Sequence, residues 1–220
     1  NTGPMDKLNL LIGNKNYSAW SLRPWLAMTM AGIDFDETLI LLDTPETKKQ
    51  IAEHSRAGRV PILRHGNVTV WETLAILEYL AETFPEKNLW PKAKTARAVA
   101  RAVSNEMHAG FSSLRNACPM NLRRPPKAIA LSDGIRADIA RIEEIWRDCR
   151  QAYGKDGQFL FGNFCIADAM FAPVVTRFDT YAIAVAADTR AYMDTLLATP
   201  AFQKWKSAAL KETWILPHDE

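Results

Sequence analysis

Across residues 84–91 this chain changes its hydrophobic period, and no other feature constrains its fold as strongly. Before that point, short apolar and β-branched runs alternate with helical stripes; beyond it only helical stripes remain. Leu8-Asn9-Leu10-Leu11-Ile12-Gly13 reads as a buried first strand. The turn 16–21 leads into a helix with Pro24 in its first turn and Leu22, Trp25, Leu26 and Met30 on one face. Thr38-Leu39-Ile40-Leu41-Leu42 reads as a second strand, and 45–54 as a polar helix or loop. Then come two β-branched runs around His65-Gly66-Asn67, the pattern of a hairpin. Leu74, Leu77, Leu80, Ala81 and Phe84 form the inward stripe of the next helix.

The order β-α-β-α-β-β-α predicts a thioredoxin-like α/β domain over 5–84. A proline-bracketed linker follows over 85–91, and an all-α helical bundle over 92–220. In the second half, Val99, Val103, Met107 and Phe111 mark the seam of a long helix that Cys118-Pro119 ends. Ser132 is placed to cap the next helix, whose stripe is Ile135, Ile139, Ile142, Trp146 and Cys149. The stretch 166–180 is apolar on most sides and predicts a central helix; amphipathic helices near 191–198 and 201–211 complete the bundle.

Composition excludes several classes of function. The 27 basic and 25 acidic side chains are mixed along 220 residues, without the basic block a nucleic-acid partner requires. No apolar run approaches the ~20 residues of a membrane span. Asn1-Thr2-Gly3-Pro4 before Met5 reads as a cloning remnant and lacks a signal peptide's apolar core. Cys118, Cys149 and Cys165 are scattered, which fits a reduced, cytoplasmic setting and no structural metal.

The hairpin carries the first functional signal. Pro61 opens its first strand, a position where a missing N–H is tolerated. With a cis Val60–Pro61 bond, the backbone of Val60 would face outward, free to pair with an extended peptide. Glu72-Thr73 then opens a helix whose free N–H groups suit a carboxylate, while the Glu72 carboxylate suits an ammonium. Together they suit the amino-acid end of a small peptide.

On these residues the chain resembles the glutathione transferases. In that family a cis-Pro preceded by Val pairs with the cysteinyl backbone of glutathione. An acidic or amide residue followed by Ser or Thr, twelve positions after the Val, grips the γ-glutamyl group. Val60, Glu72 and Thr73 have that spacing. The resemblance is to the bacterial serine-type cytosolic members, and it spans nearly the whole chain. It implies glutathione as co-substrate, a homodimer, and a helical domain that presents a small electrophile. Arg59, just before the Val-Pro, is placed to meet the glycyl carboxylate, in competition with Lys48, Lys49 and His54.

Glutathione reacts as its thiolate, and a free thiol of pKa ~8.5 is only a few per cent ionised at neutral pH. Lowering that pKa by one to two units takes roughly 1.4 to 2.7 kcal/mol. A hydroxyl donating to the sulfur supplies about 1.5 to 3 kcal/mol, and a helix N-terminus roughly 0.3 to 1 kcal/mol more. One serine at the start of the first helix therefore suffices. Ser18-Ala19-Trp20-Ser21-Leu22-Arg23 is similar to the family's Ser-x-x-Ser segment and implies that role for Ser18, with Ser21 as the helix cap. Tyr17 is the rival hydroxyl, because other branches use a tyrosine near this point.

The turn has no cysteine, which disfavours mixed-disulfide chemistry, and it lacks the Ser-Ser-Cys usual in the maleylacetoacetate isomerase branch. Tyr17, His108, Phe111 and Arg115 are candidates for the electrophile pocket. His108 and Arg115, seven apart on one predicted helix, would share a face and meet an anionic or carbonyl co-substrate. Asp168 at N3 of the central helix is a structural capping residue, with Cys165 where the family has Ser or Thr. The reading is a glutathione transferase. A glutathione-dependent isomerase or peroxidase is the alternative, and a non-catalytic scaffold the alternative of another class.

Overall fold

The computed structural model describes residues 6–220. The segment read above as a cloning remnant, together with Met5, lies outside them. The elements of the first half are β1 (Leu8–Ile12), α1 (Ala19–Met30), β2 (Phe35–Leu39), α2 (Thr47–Ala52), β3 (Ile62–His65), β4 (Val68–Trp71) and α3 (Thr73–Thr83). Their sheet has the order β2-β1-β3-β4. β1 pairs parallel with β2 and antiparallel with β3, and β3 pairs antiparallel with β4. This is the mixed sheet of a thioredoxin-like domain. β1 lies inside it, so Leu8, Leu10, Leu11 and Ile12 are all buried and the strand reads as a continuous apolar run.

Two local expectations are corrected. The second strand begins at Phe35 rather than Thr38, in register Leu8↔Phe35 to Ile12↔Leu39. It is an edge strand with a largely solvated face, so Asp36 and Glu37 are compatible with it. The apolar residues 40–42 mark where the chain leaves the sheet: Ile40 donates its N–H to the Ile12 carbonyl at 2.8 Å and is buried. In α1, Pro24 lies in the second turn, not the first. It removes the N–H that would bond the Trp20 carbonyl, and the Thr73 hydroxyl donates to that carbonyl instead, at 3.1 Å.

The second half contains α4 (Lys94–Ala109), α5 (Ser112–Ala117), α6 (Asp133–Tyr153), α7 (Ile166–Thr180), α8 (Ala187–Leu197) and α9 (Pro200–Lys211). The long helix expected to run to Cys118 is therefore two helices. The extended Gly110 ends α4, and Phe111 takes φ 60, ψ 36 before α5 begins. A Cβ at Gly110 would stand 2.8 Å from the Glu106 carbonyl oxygen, so this break favours glycine. Ser132 caps α6 by accepting the Ile135 N–H at 3.2 Å, as its sequence predicts.

Helix α7 is buried on all sides except at Asp179 and forms the centre of the bundle. It packs on α1, where Arg23 Nε donates to the Met170 carbonyl at 2.8 Å. A single hydrophobic core consequently runs from β1 through α1 and α7 to α9, with a small satellite of Leu11, Ile40, Ile51 and Ile62. At the head of α7, the Asp168 carboxylate accepts from Cys165 N (2.9 Å), Leu160 N (3.2 Å) and Tyr192 Oη (2.7 Å). Burial pushes its pKa up to about 6, opposed by those bonds. The three cysteines are free and buried, and burial raises the Cys149 thiol to about 12. Among the described residues no helix is long and apolar enough to cross a membrane.

Candidate functional site

A cleft of about 240 Å³ opens where the two halves meet. One wall is local in sequence: Ala57, Arg59, Val60, Pro61, Trp71, Glu72 and Thr73. The other brings Trp20 from α1, His108 from α4 and Arg115 from α5. The Val60–Pro61 peptide bond is cis. Pro61 stands just before β3, and Trp71, the last residue of β4, leads straight into the N-cap of α3, so the hairpin carries both ends of this wall.

Glu72 is that N-cap, with φ 69 and ψ 125 and no side-chain capping bond. A non-glycine residue in this region carries strain of order 1–3 kcal/mol. The Glu72 carboxylate is exposed at the cleft and unused by its own helix. Thr73 is buried, and its hydroxyl reaches across to the Trp20 carbonyl. The two walls are thus joined directly beneath the cleft. Arg59 is exposed and lines the cleft; Lys48, Lys49 and His54, its rivals from the sequence, do not. His54 instead faces Arg64, Nδ1 to Nη1 at 3.3 Å.

On the helical wall, His108 and Arg115 do come together, although the helix expected to carry both is broken between them. Both meet Trp20: the His108 ring lies edge-on at 5.2 Å and the Arg115 guanidinium over the indole at 5.4 Å. Arg115 Nη1 also donates to the Gly110 carbonyl at 2.9 Å, closing the α4–α5 turn. Phe111 does not line the cleft. It takes the turn between the helices and is buried in the core, correcting the expectation that it faces the co-substrate.

Ser18 sits where the sequence predicts, at the N-terminus of α1, but it is 7 % exposed and does not line the cleft. Its hydroxyl donates to Ser21 Oγ at 2.7 Å, and Ser21 Oγ accepts from Gly13 N at 3.1 Å. Ser18, not Ser21, therefore holds the N-cap position, and its side chain makes no capping bond. Tyr17 is turned away from the cleft. Its hydroxyl bonds the Glu220 carboxylate and accepts from Arg123 Nη2 at 3.0 Å, and burial, then the Glu220 bond, raises its pKa. The pocket role expected of Tyr17 is corrected accordingly: the chain beyond α9 folds back and occupies it. The same segment supplies the Glu212 carboxylate, which accepts from Lys15 N and Asn16 N at 2.9 Å each and ties down the loop that leads to Ser18.

Sequence reasoning missed Trp20 and Arg23. Arg23 is 1 % exposed, stacks its guanidinium 4.2 Å from the Trp20 ring centroid, and donates to a carbonyl of α7. An arginine inside an otherwise apolar helix was the available signal. A larger cavity of about 480 Å³ lies between α6 and α8, but its charged groups are already engaged. There Arg147 pairs with Asp188, and Arg150 holds the Gly154, Gly157 and Phe159 carbonyls. The smaller cleft, by contrast, is lined by Arg59, Val60, Glu72, Thr73, His108 and Arg115.

Residues 17–83 match the family model for the glutathione S-transferase N-terminal domain. A probable maleylacetoacetate isomerase of Caenorhabditis elegans is 35% identical over 104 residues, about half of each chain (46% of this one and 49% of the nematode protein). Glutathione S-transferase 1 of Dianthus caryophyllus is 28% identical over 176 residues, 77% of this chain and 76% of the carnation protein. Among solved structures, a Burkholderia glutathione transferase homologue with bound glutathione superposes with a TM-score of 0.71 at 22% identity, covering 93% of this chain and 98% of that one. A Tau class glutathione S-transferase from mango gives 0.69 at 16% identity, over 93% and 96% of the two chains. The sequence matches support the glutathione S-transferase family, and the structural ones establish that the described chain has its two-part fold.

Proposed function

We propose that this protein is a glutathione transferase that binds the tripeptide in the cleft between hairpin and helices and presents its thiolate to a small electrophile. The observation that carries this reading is the convergence of Val60, Glu72 and Thr73 on one wall, in a chain whose residues 17–83 match the glutathione S-transferase N-terminal domain. The γ-glutamyl group pairs its ammonium with the free Glu72 carboxylate and its carboxylate with the α3 N-terminus at Thr73. The cysteinyl backbone lies along Val60, and Arg59 meets the glycyl carboxylate.

The serine-type reading rests on Ser18. It occupies the N-cap of α1, yet the helix draws no bond from its hydroxyl, which is tied to Ser21 alone. Rotation of that hydroxyl toward the sulfur exchanges one bond for a charge-assisted one, adding to the field of the α1 N-terminus. The nematode and carnation proteins are eukaryotic, and the Burkholderia structure, at 22% identity, shows the fold alone, so none of them supports a bacterial subclass. A homodimeric, cytoplasmic enzyme with its co-substrate pocket in residues 92–220 belongs to the same proposal.

A second reading is a glutathione-dependent isomerase, which reuses the same thiolate as a reversible nucleophile. It is favoured by the nematode match and by a maleylacetoacetate isomerase of Rattus norvegicus, 27% identical over 68% of this chain and 71% of that protein. The test of the common core is an ultraviolet titration of the bound thiolate in wild type, Ser18→Ala and Tyr17→Phe. We expect the thiol pKa to rise by one unit or more in Ser18→Ala and to stay put in Tyr17→Phe. An unchanged titration in Ser18→Ala removes the serine from the mechanism. No thiolate in wild type removes the transferase reading altogether.

A further inference from the structure

Three arginines surround the helical wall of the cleft without an ion pair to any acid among the described residues; Asp219 offsets part of the charge of Arg177 from beyond ion-pair distance. Arg23 and Arg177 are buried at 1 % and 6 % exposure, while Arg115 lies at the cleft itself. Their hydrogen bonds go to backbone carbonyls: Arg23 to Met170, Arg177 to Cys118 and Arg115 to Gly110. Among the described residues none of the three is paired with a carboxylate. Arg23 Nη2 and Arg177 Nη1 are buried without any partner, and so is Nδ1 of His108.

Burial lowers the pKa of Arg23, and the neighbouring Arg177 and Arg115 lower it further. Arg177 is lowered to about 10 by burial first and then by Arg115, with the Asp219 carboxylate among the groups that partly oppose the shift. A role limited to bonding three carbonyls does not account for this arrangement, because neutral donors would do that without unpaired buried charge. An arriving anion offsets the repulsion among these arginines. Only Arg115 and His108 of this group line the cleft, side by side on Trp20, with Arg23 stacked against the same indole. The other charges on the cleft are Arg59 and Glu72, and both belong to the wall assigned above to glutathione.

We propose that the electrophilic co-substrate carries a carboxylate, received by Arg115 beside His108 and Trp20, with the buried Arg23 and Arg177 supplying the field behind it. This rests on the glutathione transferase reading and names the substrate class of its second subsite. It also gives the cluster a purpose in the ternary complex. A thiolate and a carboxylate in one cleft repel each other, and a guanidinium group beside both offsets that repulsion. The planar fork of Arg115 matches a carboxylate in two-point contact.

Glutathione has carboxylates of its own, so the test must tell the two sources apart. The first measurement is the affinity of wild type for S-methylglutathione by calorimetry. Absence of binding overturns the transferase reading, and this inference with it. The saturated complex is then titrated with 3,5-dinitrobenzoate and with 3,5-dinitrobenzamide, which share shape but not charge. We expect the acid to bind at least tenfold tighter than the amide, and Arg115→Gln to reduce that preference below twofold. Arg115→Lys, which keeps the charge and controls for folding, is expected to retain part of the preference. Equal affinity for acid and amide, no detectable binding of either, or a preference that survives Arg115→Gln would each overturn the proposal. An Arg115→Gln protein that loses S-methylglutathione as strongly as dinitrobenzoate overturns it too, by assigning Arg115 to the tripeptide, and leaves the transferase reading standing.

Discussion

The two walls of the cleft are built in opposite ways. The hairpin wall takes Val60, Glu72 and Thr73 from one stretch of chain and presents short side chains, backbone and one exposed carboxylate. The helical wall takes Trp20, His108 and Arg115 from three helices and backs them with arginines from α1 and α7. The first wall is a local motif whose geometry follows from a turn and a helix start. The second exists only because α1, α4 and α5 are brought together in the tertiary fold, with α7 packed behind α1 and α4. The first wall therefore needs only local chain geometry, whereas the second depends on how separate helices pack.

The largest expected effect is at Asp168, at the head of the α7 helix that backs the second wall with Arg177. Asp168→Ala leaves the N–H groups of Cys165 and Leu160 and the Tyr192 hydroxyl without their acceptor. We expect a loss of about 3 kcal/mol or more in urea denaturation, with glutathione affinity of the remaining folded protein within twofold of wild type. A variant that folds normally but loses glutathione would reverse the assignment of Asp168 as structural. The pH dependence follows from its pKa, raised by burial to about 6 from the ordinary carboxyl value of 3.8. Between those values the folded state binds more protons than the unfolded one, so the Asp168 contribution is fullest below pH ~4 and declines as pH rises through ~6. The stability difference between wild type and Asp168→Ala should shrink over that interval; a difference that grows would show the carboxylate to be held ionised.

Thr73→Val tests the joint between the walls. It leaves the Trp20 carbonyl, already deprived of its helical partner by Pro24, without a donor. We expect about 1–3 kcal/mol of lost stability in thermal or urea melts, together with weaker glutathione binding in calorimetry. If only binding changes, the bond to Trp20 is dispensable and the two walls are less coupled than they look.

Glu72→Gly sharpens the comparison with the smallest change in stability. Glycine relieves the φ 69 backbone, so we expect the protein to gain about 1 kcal/mol. Glutathione affinity should fall at least tenfold, because the carboxylate for the ammonium is gone. Stability and affinity moving in the same direction would contradict the idea that strain at Glu72 is kept for binding.

Legibility followed the same division. The hairpin, the Gly-Asn turn, the start of α3 and the span of α7 could be read because each depends on neighbours within a few residues. The start of β2 is not legible because an edge strand tolerates the polar run 36–38, while the apolar run 40–42 lies beyond the strand, with Ile40 buried. The break at Gly110-Phe111 is masked in the sequence because the apolar seam continues across it, and Phe111 still reaches the core from a left-handed turn. The orientation of Tyr17 is not legible locally, because its partners, Arg123 and Glu220, lie more than a hundred residues away.

By itself the sequence determined the two-part architecture, the wall formed by Val60, Glu72 and Thr73, and the placement of Ser18 at a helix start. Periodicity, proline and turn chemistry act over short spans of chain, and those features need nothing more. The tertiary structure alone decided that the Ser18 hydroxyl turns to Ser21, that Tyr17 faces the C-terminal segment, and that Arg23, Arg115 and Arg177 share one neighbourhood. Charge is felt through space rather than along the chain, so a cluster assembled from three helices leaves no pattern in the order of residues.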